Sequence, residues 1–307
     1  DDDPEFDPDN LKYSCIRYVP STVANAMGPS WVDPVSGEII NASVIVYNDV
    51  VSLAGGWRFC QTAQLDPRAR LAQMPQDLLE ETIEYVLAHE VGHCLGFMHN
   101  MAASAAWPTD SLRSPSFTRA NGTTASIMDY ARFNYVAQPE DIGVSLDPPY
   151  LGPYDRFLVK YAYSFIPEDA DSVVERWVDE KAGDPVYRYG RQQVKARYDP
   201  SAIEEDLGND PVRSSEYGIS NLKYIIAHNG EWADDATDPD GKLRRERYKL
   251  IVKQMGRYLS AVAANVGGIY LNQVKSGVSS LEPAVAVPAV VQQESLAWVL
   301  DNLLDMD

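Results

Sequence analysis

The sequence predicts an α+β fold, with a small twisted sheet, a central helix that carries histidines, and a mainly helical C-terminal region. Glu38–Val51 is rich in Ile, Val and Tyr, as expected of a strand. Apolar residues with helical spacing recur in the middle of the chain and towards its end. We therefore expect the sheet and the histidine helix in residues 1–98, a turn-rich part in 99–165 (one region, 1–165), and a helical region in 166–307.

The first part of the chain predicts two strands. Residues 1–10 are acidic and interrupted by proline, so we expect a solvated tail. Leu11–Val19 is a plausible strand, and Glu38–Val51 is the stronger candidate. Between them, Gly-Pro and Asp-Pro pairs predict a loop over 21–37. A short helix is expected at 57–64.

The next helix is expected to open at the capping-box pattern Asp77–Glu80 and to carry two histidines. Because His89 and His93 are four residues apart, they lie one above the other on one helix face. Two imidazoles at this spacing reach one metal ion at about 2.0–2.1 Å. Glu90 lies to one side of that face, where it can act on a metal-bound water as a general base.

A third histidine follows the end of this helix. Gly96 predicts a left-handed turn that brings the chain back, so that His99 can approach the same ion. Three protein ligands leave one coordination position open, which is typical of a catalytic zinc site. The alternative is a helix with ordinary hydrogen-bonded histidines, but three of the chain's 4 histidines lie in this short segment.

The remaining elements follow from proline, glycine and helical spacing. We expect a loop-rich passage at 101–125 and a wall beside the metal site at 131–136. A proline-rich connector is expected at 282–288, and the acidic run Asp199–Pro211 predicts a surface loop, with a bound structural Ca²⁺ as the minor alternative. Helices are predicted at Tyr154–Tyr163 (with Asp155 as a cap), Glu168–Lys181, Ser214–His228, Leu243–Val266 and Ala289–Leu304. His228 is interpreted as structural or exposed, and the helical region as a supporting platform rather than a lid or a docking element.

The pattern His-Glu-x-x-His-x-x-Gly-x-x-His at 89–99 and the sequence Ser-Ile-Met-Asp-Tyr at 126–130 resemble those of metzincin metallopeptidases. The wider sequence around both motifs is similar to a bacterial group called Met-zincins. The resemblance implies a zincin-like catalytic domain with a small sheet, a central zinc helix and a Met-turn. It also implies one catalytic Zn²⁺, an apolar floor beneath it from Met128, and the ligands His89, His93 and His99.

The resemblance also implies how substrate would be held. Tyr130 occupies a position where astacins and serralysins place a tyrosine near the metal, and it would donate a hydrogen bond to the oxyanion. A wall tyrosine that only packs is the alternative. Glu38–Val51 would be the edge strand that pairs with an extended substrate, through Ile39, Asn41, Ser43, Ile45 and Tyr47.

Asn100, after the third histidine, differs from the residue found there in several well-known metzincin families, so we assign the chain to none of those.

The sequence therefore predicts a zinc-dependent endopeptidase that hydrolyses peptide bonds with a zinc-bound water activated by Glu90. Two alternatives are a zinc-containing binding module with weak catalysis and a zinc hydrolase of non-peptide amides. Because members of the bacterial Met-zincin group are often parts of larger envelope or secreted proteins, the resemblance implies a secreted or cell-envelope location in a bacterium. Two strands are few for a metzincin, so either more strands exist or the natural protein begins upstream of Asp1, and further domains or partner subunits are possible.

Composition excludes several other functions. The net charge is −19, which argues against nucleic acid as a partner because phosphates require a basic surface. No apolar run approaches the roughly 20 residues that span a bilayer. A protein or peptide substrate is the expected partner. The 3 cysteines leave at least one unpaired, and Cys15 and Cys60 are the pair that an oxidising compartment would allow.

Overall fold

A computed structural model of the chain describes residues 3–304. Within that range the chain forms six strands and eight α-helices, in the order β1 (Cys15–Val19), β2 (Ala26–Met27), β3 (Ser30–Val32), β4 (Ile39–Tyr47), α1 (Val50–Thr62), α2 (Gln76–Cys94), α3 (Pro115–Asn121), α4 (Pro153–Tyr163), α5 (Ala170–Asp179), α6 (Pro211–Trp232), α7 (Lys242–Ala263), β5 (Ile269–Leu271), β6 (Ala284–Ala286) and α8 (Ala289–Leu304). Positions 1–2 of the expected tail and 305–307 of the expected helical region lie outside the described residues. The predicted α+β fold class with a mainly helical C-terminal region is confirmed.

Strand β4 forms the centre of the sheet. It pairs in parallel with β1, and along its other side it pairs antiparallel with β2 and then with β3. The prediction that this strand is the edge of the sheet is therefore wrong, because both of its sides bond to neighbouring strands. Within residues 3–304, no strand pairs with the outer side of β2 or β3, so these two strands form the edge.

The predicted loop at 21–37 contains both of these short strands. Gly28 and Pro29 lie between β2 and β3, and Asp33 and Gly37 form the turn that leads into β4. The turn-forming residues thus mark the ends of strands rather than one continuous loop. Strands of 2 and 3 residues are too short to show an alternating pattern, which is why the sequence did not reveal them.

Two helix starts differ from the prediction. Val50 falls within the predicted strand because β-branched residues favour strands, but it begins α1 and packs with Val44 and Val46 in the core. Helix α2 begins after Pro75, without a side-chain cap. The predicted capping box is absent, because the helix already begins at Gln76 and Asp77 lies inside its first turn, where it pairs with Arg68 at 2.6 Å.

One hydrophobic core joins the two predicted regions. Phe59 and Cys60 of α1 pack with Ile225 of α6 and Tyr258 of α7, and Tyr135 belongs to the same cluster. The sequence boundary at 165/166 therefore does not separate two cores. Helices α6 and α7 support the first half of the chain, as the platform interpretation expects.

The other helix predictions agree with the structure to within a few residues. The predicted connector at 282–288 is not free of regular structure, because it contains β6, which pairs antiparallel with β5. The passage at 101–125 contains α3 and two short 3₁₀ turns. None of the helices within residues 3–304 is long and apolar enough to cross a membrane. In the same range all three cysteines are free, so the possible bridge between Cys15 and Cys60 does not form.

Candidate metal centre

Three histidine side chains converge near the C-terminal end of α2. His89 and His93 project from its last turns. The Nε2 atom of His99 lies 3.3 Å from Nε2 of His89 and 3.0 Å from Nε2 of His93. Among residues 3–304, these three form the one group of side chains close enough to share a metal ion. Three imidazole nitrogens that face a common point are the donor set of a catalytic zinc site.

The second ring nitrogen, Nδ1, of each histidine has a hydrogen-bond acceptor. Nδ1 of His89 lies 2.7 Å from the carbonyl oxygen of Ile127, and Nδ1 of His93 lies 2.8 Å from that of Phe97. A carbonyl can only accept, so Nδ1 carries the proton and Nε2 keeps its lone pair for a metal. The residues present therefore fit a bound zinc ion.

Burial favours the uncharged form of two of these rings. It lowers the pKa of His89 to about 3, and it also lowers the pKa of His99. A metal ion binds the neutral imidazole, and protonation competes with binding. Near neutral pH these two rings are therefore already in the form that binds a cation.

The turn after α2 brings His99 to the other two histidines. Gly96 has a φ of +85°, a left-handed conformation that side chains with a Cβ rarely adopt. The amide of Gly96 donates to the carbonyl of His93 at 2.9 Å, and the amide of Phe97 donates to that of Gly92 at 3.0 Å. These two bonds close the helix end in the pattern typical of glycine. The predicted turn at Gly96 is confirmed.

Met128 lies against α2 on the side of the core. Its side chain is fully buried and packs in the same apolar cluster as Tyr85 and Val86. A Cβ added to Gly92 would stand 2.3 Å from Met128 Sδ, so the turn and the helix touch at this glycine. The structure thus places Met128 next to the helix turn that lies between His89 and His93.

Asp155 holds the turn that carries Met128. Its carboxylate accepts hydrogen bonds from Ser126 Oγ at 2.6 Å, the Ile127 amide at 2.7 Å and the Gly152 amide at 2.8 Å. The bond from Gly152 matches the expected cap of α4. The two bonds to the turn were missed, because they join residues far apart in sequence that no local pattern connects.

Glu90 lines a cavity of about 70 Å³ together with His89, Tyr130 and Arg132. Its side chain is buried. Burial raises the pKa of Glu90 to about 7, against the opposing effects of the Gly28 amide and the Arg132 charge. A carboxyl group with such a pKa can both accept and donate a proton near neutral pH.

Tyr130 stands beside the histidines. Its ring centroid lies 4.5 Å from that of His99 and 5.5 Å from that of His89. The Arg132 guanidinium lies 4.3 Å from the centre of the Tyr130 ring and 3.8 Å from that of Trp57. Burial raises the pKa of Tyr130 to about 12, so its hydroxyl is protonated near neutral pH. The sequence did not single out Arg132 or Trp57.

The predicted substrate-binding residues do not lie on an open strand, and that prediction is wrong. All five belong to the interior strand β4: Ile39, Asn41, Ser43, Ile45 and Tyr47. The Asn41 amide, for example, is buried and donates to the carbonyls of Leu11 and Tyr13. On the opposite side of β4 from β1, the backbone of Gly28, between β2 and β3, lies against α2 at Glu90 and His93, and its amide lowers the pKa of the Glu90 carboxyl.

Two further sequence interpretations have clear outcomes. Within residues 3–304, the acidic run at 199–211 provides no group of metal-binding side chains, so a structural calcium ion has no support. His228 stacks on Tyr224 and Trp232, and its Nδ1 lies 2.8 Å from the Tyr224 carbonyl oxygen. The structural interpretation of His228 is confirmed.

A family model described as Met-zincin matches residues 71–307, which is more than half of the chain. The chain belongs to the Met-zincin family. No curated protein and no solved structure gives a match. The part matched to the Met-zincin model contains the three histidines, the turn with Met128 and the helices from α2 to α8, whereas the four-stranded sheet precedes it.

Proposed function

We propose that this Met-zincin is a zinc-dependent endopeptidase that acts on proteins or peptides. The proposal is carried by the position of Glu90. This buried carboxyl lines the same small cavity as His89 and Tyr130, next to the three converging histidines. A metal site that only supports structure needs no acid–base group beside it.

Zinc held by His89, His93 and His99 would polarise the scissile carbonyl and lower the pKa of a water molecule. Glu90 accepts the proton of the attacking water and returns it to the leaving amine. Its raised pKa suits both steps, because the carboxyl group has to lose and regain a proton near the working pH. Arg132, whose charge lowers the pKa of Glu90, keeps part of the carboxyl ionised.

Tyr130 supplies a hydrogen-bond donor for the oxygen that becomes negative in the transition state. Its hydroxyl is protonated near neutral pH, as in any tyrosine, and burial raises its pKa further, to about 12. Contact with the tilted His99 ring, stacking on His89 and the Arg132 guanidinium limit the ring to a few orientations. A donor fixed in this way stabilises the transition state more than the ground state.

Substrate would pair with the outer side of the 26–32 segment instead of with β4. Within residues 3–304 this side has no strand partner. Extended peptides bind to exposed sheet edges through main-chain hydrogen bonds. An edge of this kind beside Glu90 favours a peptide substrate over a non-peptide amide.

Two experiments on the purified protein test the proposal. Elemental analysis is expected to give about one zinc per chain. Casein and a quenched peptide library are expected to be cleaved, with activity lost to a chelator and restored by zinc. Stoichiometric zinc without cleavage would favour the binding module. Cleavage confined to small non-peptide amides would favour the amide hydrolase. Location in the cell envelope or outside a bacterial cell stays a prediction.

A further inference from the structure

The third histidine differs from the other two in what holds its Nδ1 atom. His89 and His93 face main-chain carbonyls of Ile127 and Phe97. His99 Nδ1 instead lies 3.0 Å from Oε1 of the Gln192 side chain, which is 93 residues further along the chain. One of the three metal-binding rings is therefore oriented by the C-terminal region.

The next contact fixes which way the Gln192 amide points. Its Nε2 donates to Oε1 of Glu204. A carboxylate only accepts hydrogen bonds, so the amide nitrogen faces Glu204 and the amide oxygen faces His99. The His99 ring must then carry its proton on Nδ1, which leaves the Nε2 lone pair directed at His89 and His93. Arg197 lies 3.4 Å from the other carboxylate oxygen of Glu204 and holds the end of this series of hydrogen bonds.

The backbone around Gln192 is held against the residue that follows the third histidine. The Asn100 side chain donates to the Arg188 carbonyl at 2.9 Å and accepts from the Gly190 amide at 2.8 Å. The Met101 amide donates to the Gly190 carbonyl at 2.7 Å. A Cβ on Gly190 would lie 2.7 Å from the Cβ of Ala102, so the segment packs too closely for any other residue.

We propose that Gln192 is a positioning residue of the metal centre. Together with Glu204 it fixes the tautomer and the ring orientation of His99, so the C-terminal region determines how tightly zinc is held. The inference rests on the proposed zinc site, but not on cleavage of any substrate. Hydrogen-bond partners of metal-bound histidines typically contribute about 10- to 100-fold to metal affinity.

The experiment measures the zinc dissociation constant by chelator competition near pH 7, together with the melting temperature. Gln192→Leu removes the acceptor and is expected to weaken zinc binding about 10- to 100-fold. Gln193→Leu is the matched control. Gln193 makes four hydrogen bonds to the loop at 198–202 and none of these involves His99. This control is expected to lower the melting temperature and to leave zinc affinity within about 3-fold.

A second variant keeps the hydrogen-bond chain but exchanges its ends. Gln192→Glu combined with Glu204→Gln places a carboxylate against His99 Nδ1 and an amide behind it, so zinc should bind within about 3-fold of the parent or tighter. Equal weakening in Gln192→Leu and Gln193→Leu would overturn the proposal, because a disturbed loop would then explain both. Unchanged affinity in Gln192→Leu, or zinc loss in the exchanged pair, would also overturn it. Failure of the parent to bind zinc would refute the proposed function instead.

Discussion

The backbone of Gly28 lies directly against α2: a Cβ added to it would stand 2.2 Å from the carbonyl oxygen of Glu90 and 3.1 Å from the Cβ of His93. Atoms do not approach so closely, so this contact requires glycine. The Gly28 amide also lowers the pKa of the Glu90 carboxyl. One residue therefore joins the proposed substrate edge to the proposed base.

Gly28→Ala is expected to push the sheet edge away from α2. Overpacking of this kind costs about 1–3 kcal/mol, and cleavage should fall while zinc stays bound, because no metal ligand is removed. Gly230→Ala is the control, since a Cβ there meets no atom within 4 Å. Melting temperature, zinc content and cleavage rate are measured together. A Gly28→Ala protein that melts and cleaves like the parent would show that the edge can move freely.

Local spacing predicted the metal centre well, because helix and turn geometry alone set the relative positions of the residues from His89 to His99. The edge of the sheet could not be predicted in this way. Which side of β4 is open depends on pairing with β1, β2 and β3, and the last two are too short to show a pattern. The bond from His99 to Gln192 spans 93 residues, and no local signal exists for such a contact.

His93→Ala is expected to lose most of the bound zinc, because two histidines hold the ion far less tightly than three. His228→Ala removes a histidine that packs on Tyr224 and Trp232, away from the metal-binding group. It should keep about one zinc per chain. Elemental analysis of both variants decides the assignment. Equal zinc content in the His93 variant and the parent would contradict it.

Glu90→Gln keeps the shape of the side chain and removes its ability to accept a proton. Cleavage should drop at least ~10²-fold, as expected when a general base is lost, while zinc content remains that of the parent. Glu84→Gln makes the same change at an exposed position of α2 and should leave cleavage unaffected. Single-turnover assays of peptide hydrolysis provide the measurement. A Glu90→Gln enzyme that cleaves at the parent rate would remove Glu90 from the mechanism.

Tyr130→Phe keeps the ring against His99 and removes only the hydroxyl. If this hydroxyl stabilises the transition state, kcat should fall about 10-fold or more with little change in KM and with zinc still bound. Tyr163→Phe is the control, because that phenol donates to the Leu95 carbonyl at 2.9 Å instead of lining the cavity. Steady-state kinetics on one peptide compare the two. An unchanged kcat in Tyr130→Phe would leave this tyrosine as a packing residue.

The buried carboxyl of Asp129 makes the free energy of unfolding depend on pH. Its Oδ2 accepts from the Ser104 amide at 2.6 Å, but Oδ1 has no partner among residues 3–304. Burial raises the pKa of Asp129 from 3.8 to about 7. A pKa raised by folding means that the protonated form is favoured in the folded state. This stabilising contribution is complete below about pH 4 and is lost as the pH rises through about 7.

Asp129→Asn removes this titration and keeps an acceptor for the Ser104 amide. Relative to the parent, the variant should gain stability steadily between about pH 4 and 7, by up to a few kcal/mol. Burying the new amide has a cost that does not depend on pH. It therefore shifts the variant's free energy of unfolding equally at every pH and leaves the change with pH unaltered. Chemical unfolding at several pH values, on the zinc-free proteins to exclude metal linkage, measures the difference. A difference that stays constant from pH 4 to 8 would mean that Asp129 titrates alike in both states, and that Oδ1 is solvated in the folded protein.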